Sequence, residues 1–218
     1  MFPAVELYAA AVAGYNQAIW PAQVAGGVLC AAVVLWAFAA PGKWADAVGK
    51  TALNLCWLWV AVVFFTLRLA PDLKWAYGAA LVFAVEGTLL MYDAAAPTFT
   101  LRPRAARGAL VVGALVVALG AIVYPVAAAA AGRGWPHTPV AGTAPAATAA
   151  LTLGILVWSR PAARVHVVAL PALYVIGFGV YAGTAFKLYE EFIPAAAGGL
   201  ALAYLVAARR LGRGRRSP

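Results

Sequence analysis

Seven long apolar stretches alternate along this chain with loops that are by turns rich and poor in lysine and arginine. A run of about 20 apolar residues can cross about 30 Å of hydrocarbon as a helix. In lipid every backbone N–H and C=O must be satisfied within the segment, and these unbroken runs lack the short alternation of a membrane β-barrel. The pattern therefore predicts an all-α membrane protein, a seven-transmembrane-helix bundle forming one integral membrane domain over residues 1–218. The spans are expected at about 21–39, 51–69, 74–92, 108–131, 145–159, 164–186 and 192–208, the fifth being short and rich in alanine and threonine.

Composition excludes the ordinary soluble alternatives. The chain is 65% apolar and only 11% charged, with a mean hydropathy of +0.87. A core of this size cannot hide so much apolar surface, so most of it must face lipid. The net charge of +9 would suggest nucleic acid in a soluble protein. Here the basic residues sit at helix ends and in the tail, so they read as topology determinants and no nucleic-acid partner is expected. Cys30 and Cys56 lie in separate apolar segments and form neither a disulfide framework nor a metal-ligand pair by spacing.

Orientation follows from the loops. Lys43, Lys50, Arg102, Arg104, Arg107, Arg160, Arg164, Arg209, Arg210, Arg213, Arg215 and Arg216 make twelve basic residues on one side, against Arg68, Lys74, Arg133 and Lys187, four, on the other. The richer side is cytoplasmic, which puts the N-terminus outside and the arginine-rich tail inside. Dropping one span would scramble this alternation. The expected location is the bacterial inner membrane. Residues 1–14 lack a basic n-region and carry Glu6, so they do not read as a signal peptide. Val5, Tyr8, Ala9 and Val12 recur at helical spacing and predict a short interfacial helix over about 2–16.

Few residues suggest chemistry. Glu86 falls near the middle of the third span, where a carboxylate costs on the order of 2.5–3.5 kcal/mol. It is expected to face the bundle interior as a protonated, hydrogen-bonding acid, with Asn54 of the second span as its polar neighbour. Two readings stand: a relay or solute contact, and a neutral interhelical hydrogen bond. Lys187, Glu190, Glu191 and His137 form a second group at the outer mouth, joined by Arg68, Asp72, Lys74 and Arg133. They read as solute-facing groups or as plain loop charges. His137 and His166 fall on opposite sides and cannot share a metal. No catalytic constellation, cofactor motif or metal site is expected. Gly177, Gly179 and Gly183, with Gly198 and Gly199, mark a small-residue stripe suited to close helix packing. Pro125 and Pro171 free backbone carbonyls inside spans.

The segment Tyr15-Asn16-Gln17-Ala18-Ile19-Trp20-Pro21-Ala22-Gln23 resembles the opening signature of the DUF6064 family of bacterial multi-pass membrane proteins. Leu58-Trp59, Tyr124-Pro125, Gly132 through Pro139, Pro145, Thr148, Thr152, Gly154 and Pro171 resemble the same family in the same order. The resemblance implies the membrane architecture and carries no activity. Phe65, Ala146 and Glu86 stand where histidine, cysteine and glutamine are common in the family, which implies an altered site if those residues form one. The function expected from all this is binding or transport of a small solute or ion through the bundle. A structural or accessory subunit of a larger membrane complex is the alternative. The partners are then the lipid bilayer, a second copy or other membrane subunits, and the solute.

Overall fold

The computed structural model describes residues 3–39, 42–103 and 106–214. Arg104, Arg215, Arg216 and the side chains of Arg209, Arg210 and Arg213, all counted for topology, lie outside what is described. Among the described residues the chain is helical, with one isolated antiparallel bridge between Thr100 and Arg160. The helices are α1 (Pro3–Ala39), α2 (Lys43–Trp59), α3 (Ala76–Ala95), α4 (Arg107–Ala118), α5 (Tyr124–Ala130), α6 (Pro145–Trp158), α7 (Val165–Ala185) and α8 (Phe192–Gly214). π-helical segments Val60–Leu69 and Leu119–Val123 continue α2 and join α4 to α5, and a 3-10 turn, Tyr189–Glu191, leads into α8. Six of the resulting helices are long and apolar enough to cross a membrane.

Helices cover the second to seventh expected stretches within a few residues of their expected ends, apart from the start of the second and the end of the seventh. Two expectations need correcting. The interfacial helix is not a separate element: α1 runs unbroken through Pro21 for 37 residues, roughly 55 Å at 1.5 Å per residue. Proline forfeits one bond to the preceding turn. The helix continues nonetheless, and across the proline Gln23 Nε2 donates to Asn16 Oδ1 at 2.6 Å. The second helix starts at Lys43, not Thr51, and so draws Lys50 into the folded interior with the half-buried Asp46 beside it.

α6 is the centre of the molecule. It has only 14 residues, and every one from Pro145 to Trp158 is buried. It is sheathed by α2, α4, α7, α8 and the Leu119–Val123 segment. Small residues make this possible: a Cβ on Gly154 would meet the Gly113 carbonyl oxygen at 2.8 Å, and one on Gly120 would meet Ala150 at 2.6 Å. Its threonines serve the hydrogen-bond needs of a dry interior. Trp57 Nε1 donates to Thr152 Oγ1 at 3.0 Å, and the Gly142 N–H donates to Thr148 Oγ1 at 2.8 Å.

The glycine stripe packs α7 on α8, as its spacing suggested, with one correction. A Cβ on Gly179 would lie 2.5 Å from the Glu191 carbonyl, and one on Gly183 would lie 2.6 Å from the Phe192 ring. Gly198 meets Val175 in the same way, whereas Gly177 and Gly199 have nothing within 4 Å. Gly177 and Gly199 therefore stand outside the interface. Cys30 and Cys56, separate in sequence, bring their sulfurs to 4.0 Å as buried free thiols between α1 and α2.

Candidate binding cavity and buried polar groups

The YNQ…WPAQ segment acts first on a loop. Asn16 Nδ2 donates to the carbonyls of Pro136 (2.6 Å) and Thr138 (3.2 Å). Tyr15 Oη donates to the Thr143 carbonyl at 2.9 Å and accepts from Trp59 Nε1 at 2.9 Å. These bonds fasten the 131–144 loop across α1 and the second helix. Arg68 adds a clamp, its Nε donating to the Ala11 carbonyl at 3.2 Å while its guanidinium lies against Gly14.

The fastened loop forms one side of a partly open cavity with about 70 Å³ of free space. Its lining combines aromatic residues, Tyr8, Tyr15, Phe64, Tyr124, Tyr174 and Phe178, with polar ones, Asn16, Arg133, His137, Glu190 and Glu191. The Tyr174 and Phe178 rings are stacked at 5.5 Å, and Tyr8 stands 6.0 Å from Phe178. Local helix geometry aims two of these residues. Phe64 belongs to the Val60–Leu69 π segment, and Tyr124 comes directly after the Leu119–Val123 one. A π turn carries one surplus residue, which rotates the residues beyond it relative to a straight α-helix.

The electrostatics of the polar lining are uneven. Arg133 pairs with Glu190. Burial pulls the Arg133 guanidinium below its ordinary value, and the nearby Glu191 opposes that pull. Tyr124 Oη donates to Glu191 Oε1 at 2.5 Å. Glu191 Oε2 is buried and has no hydrogen-bond partner among the described residues. One guanidinium thus faces two acids, and the second acid keeps a free oxygen in a largely aromatic chamber.

Of the outer-mouth group, His137, Glu190 and Glu191 are brought together in this lining, and Lys187 is not. Lys187 adopts a left-handed backbone conformation (φ 59°) just after α7. It turns the chain toward the 3-10 segment, a role that favours glycine over lysine. Arg68 and Lys74 are also taken up locally, Lys74 Nζ donating to the Pro71 carbonyl at 3.1 Å. The tyrosines were missed at the sequence level; only Tyr15 and Tyr124 carried a signal, through the family resemblance.

The pair Glu86 and Asn54 is separate. Glu86 and Asn54 are buried on facing helices, and a Cβ on Gly87 would sit 3.1 Å from Asn54 Oδ1. Both Glu86 oxygens and Asn54 Oδ1 lack hydrogen-bond partners among the described residues. The expected interior placement is found and the expected hydrogen bond is not. Neither residue is on the cavity wall.

A third polar group had no counterpart in the sequence reading, which took Lys50 as a loop charge. Lys50 is fully buried. Its Nζ meets Asp46 Oδ2 at 2.5 Å, Asp93 Oδ2 at 2.7 Å and the Phe99 carbonyl at 2.5 Å. Asp46 Oδ1 accepts from the Leu101 N–H at 2.6 Å, and Asp93 Oδ1 accepts from the Thr98 N–H at 2.9 Å. The spacing of Asp46 and Lys50, one helical turn, was a signal available in the sequence. Asp93, 43 residues further on, was not.

A family model described as "Family of unknown function (DUF6064)" matches residues 5–216. No curated protein and no solved structure matches the chain. The chain belongs to the DUF6064 family.

Proposed function

We propose that this DUF6064 member is a multi-pass protein of the bacterial inner membrane that binds a small organic cation in the cavity at its outer end. The observation that carries this reading is Glu191, whose second carboxylate oxygen is buried without a partner beside stacked aromatic rings. An ammonium group satisfies both features at once, pairing with the carboxylate and lying against ring faces, where a desolvated cation gains about 2 kcal/mol. Glu86 and Asn54 lie off the wall, so binding at the outer end is better supported than conduction through the bundle.

The topology that goes with this reading has seven crossings, with α6 as the fifth, the N-terminus outside and the tail cytoplasmic. At 14 residues, α6 is roughly 21 Å long, short for a lipid-exposed helix. Its complete sheath of protein removes that objection, and the alternation of basic loops requires it to cross.

The test is calorimetric titration of the purified protein with tetraalkylammonium and primary alkylammonium ions, alongside uncharged alcohols of the same shape. The charged ligands are expected to bind, and Glu191→Gln to weaken them at least tenfold. Equal binding of the alcohols, or an unaltered affinity in Glu191→Gln, refutes the proposal.

A further inference from the structure

At the opposite end of the bundle an open cleft of about 710 Å³ lies between the end of α1 and the start of α2. Its floor is the 97–102 loop, held by the buried Lys50 cluster and by the Thr100–Arg160 bridge, in which each backbone N–H donates to the other's carbonyl at 2.8 and 2.9 Å. This bridge sets Arg160 beside Arg102, and Lys43 contributes a third cation from the start of α2. All three are exposed, and none has an ion pair among the described residues. The one acid on the wall, Asp46, has both oxygens occupied by Lys50 and the Leu101 N–H. The cleft is therefore a cationic site without an internal counterion.

The α1 side of the same cleft is apolar, formed by Val33, Trp36 and Ala37. Next to it Trp44 is 87% exposed, as an indole at the level of lipid headgroups would be. We propose that this cleft binds one anionic phospholipid, its phosphate held by Lys43, Arg102 and Arg160 and an acyl chain lying along Val33, Trp36 and Ala37. Guanidinium groups recognise phosphate through paired N–H donors. A zwitterionic lipid would bring its own ammonium against three cations. Free phosphate would leave the apolar wall unused.

The experiment is native mass spectrometry of the full chain released from nanodiscs containing equal parts of dioleoyl phosphatidylglycerol and dioleoyl phosphatidylcholine. The expected result is retention of one phosphatidylglycerol in preference to phosphatidylcholine. Each basic residue near an anionic headgroup is worth roughly fivefold. Lys43→Gln/Arg102→Gln/Arg160→Gln is therefore expected to lower retention about a hundredfold. Arg107→Gln/Arg164→Gln, which removes two charges from the same end but outside the cleft, is expected to leave it within about threefold. Ala37→Trp, which fills the apolar side and keeps every charge, is expected to lower retention as well. Unchanged retention in the triple variant, or equal loss per charge in the control pair, overturns the proposal. Displacement of the lipid by 10 mM inorganic phosphate (about that concentration suffices to compete at a simple anion site) also overturns it, in favour of a free-anion site. If the triple variant does not fold, unchanged retention in both Arg102→Gln and Ala37→Trp overturns it equally.

Discussion

Replacing Lys50 with methionine removes the centre of a buried charge cluster while conserving most of the side-chain volume. The ammonium holds Asp46 and Asp93 at 2.5 and 2.7 Å and the Phe99 carbonyl at 2.5 Å, and it lies 4.5 Å above the Phe99 ring. Its own side chain is 0% exposed, and the two acids are 8% and 5% exposed. Without it, two carboxylates face one another with no cation between them. Breaking a buried pair by deleting one partner costs about 3–5 kcal/mol, whereas a volume-conserving apolar swap alone costs under about 1.5 kcal/mol. At roughly 2–4 °C per kcal/mol for a chain of this size, Lys50→Met is expected to lower the melting temperature in detergent by on the order of 10 °C. The triple variant Asp46→Asn/Lys50→Met/Asp93→Asn removes both signs of charge together and is expected to recover most of that loss. A melting temperature for Lys50→Met within about 2 °C of the parent would refute the reasoning, given the cost expected for uncompensated buried charge. A triple variant no better than the single one would show that the loss came from packing and not from charge.

Three further outcomes are expected. Gly183→Leu places its new Cβ 2.6 Å from the Phe192 ring, forces that ring away from α7 and is expected to cost about 1–3 kcal/mol, whereas Gly177→Leu is expected to melt like the parent. Thr152→Val leaves the buried Trp57 Nε1 without its acceptor and is expected to cost about 1–3 kcal/mol, measured by the same melts. Glu86→Gln is expected to keep fold and stability and Glu86→Lys to impair insertion, read as yield of folded monomer by size-exclusion chromatography; equal yields from the two would remove Glu86 from the list of buried groups that matter.

The architecture was legible because its cause is local. Hydrophobic runs and the helical backbone rule act on consecutive residues, so the helices after the first two could be placed from sequence alone. The first could not: proline at position 21 reads as a helix start, and only the backbone seen in three dimensions shows the helix running through it. Lys50 was misread for a related reason. A lysine at the edge of an apolar run is normally a flank, and the fact that buries it is Asp93 on another helix. The cavity was half legible. Glu190, Glu191 and His137 were noticed as charges, but Tyr8 and Tyr174 sit in apolar runs where aromatic residues are commonplace, and nothing in their spacing shows that they meet.

The encasement of α6 also bears on how the molecule is made. A 14-residue helix carrying two threonines gives a membrane-insertion machinery a weak signal, because insertion is scored on length and apolarity. Two of the elements that wrap it, α7 and α8, come after it in the chain. On the proposed topology α6 must therefore wait, incompletely covered, until the last quarter of the protein has emerged. On the proposed topology a chain cut before α8 is expected to leave the α8-facing side of α6 uncovered, while Thr148 and Thr152 keep their partners in the 131–144 loop and the second helix, both of which precede α6.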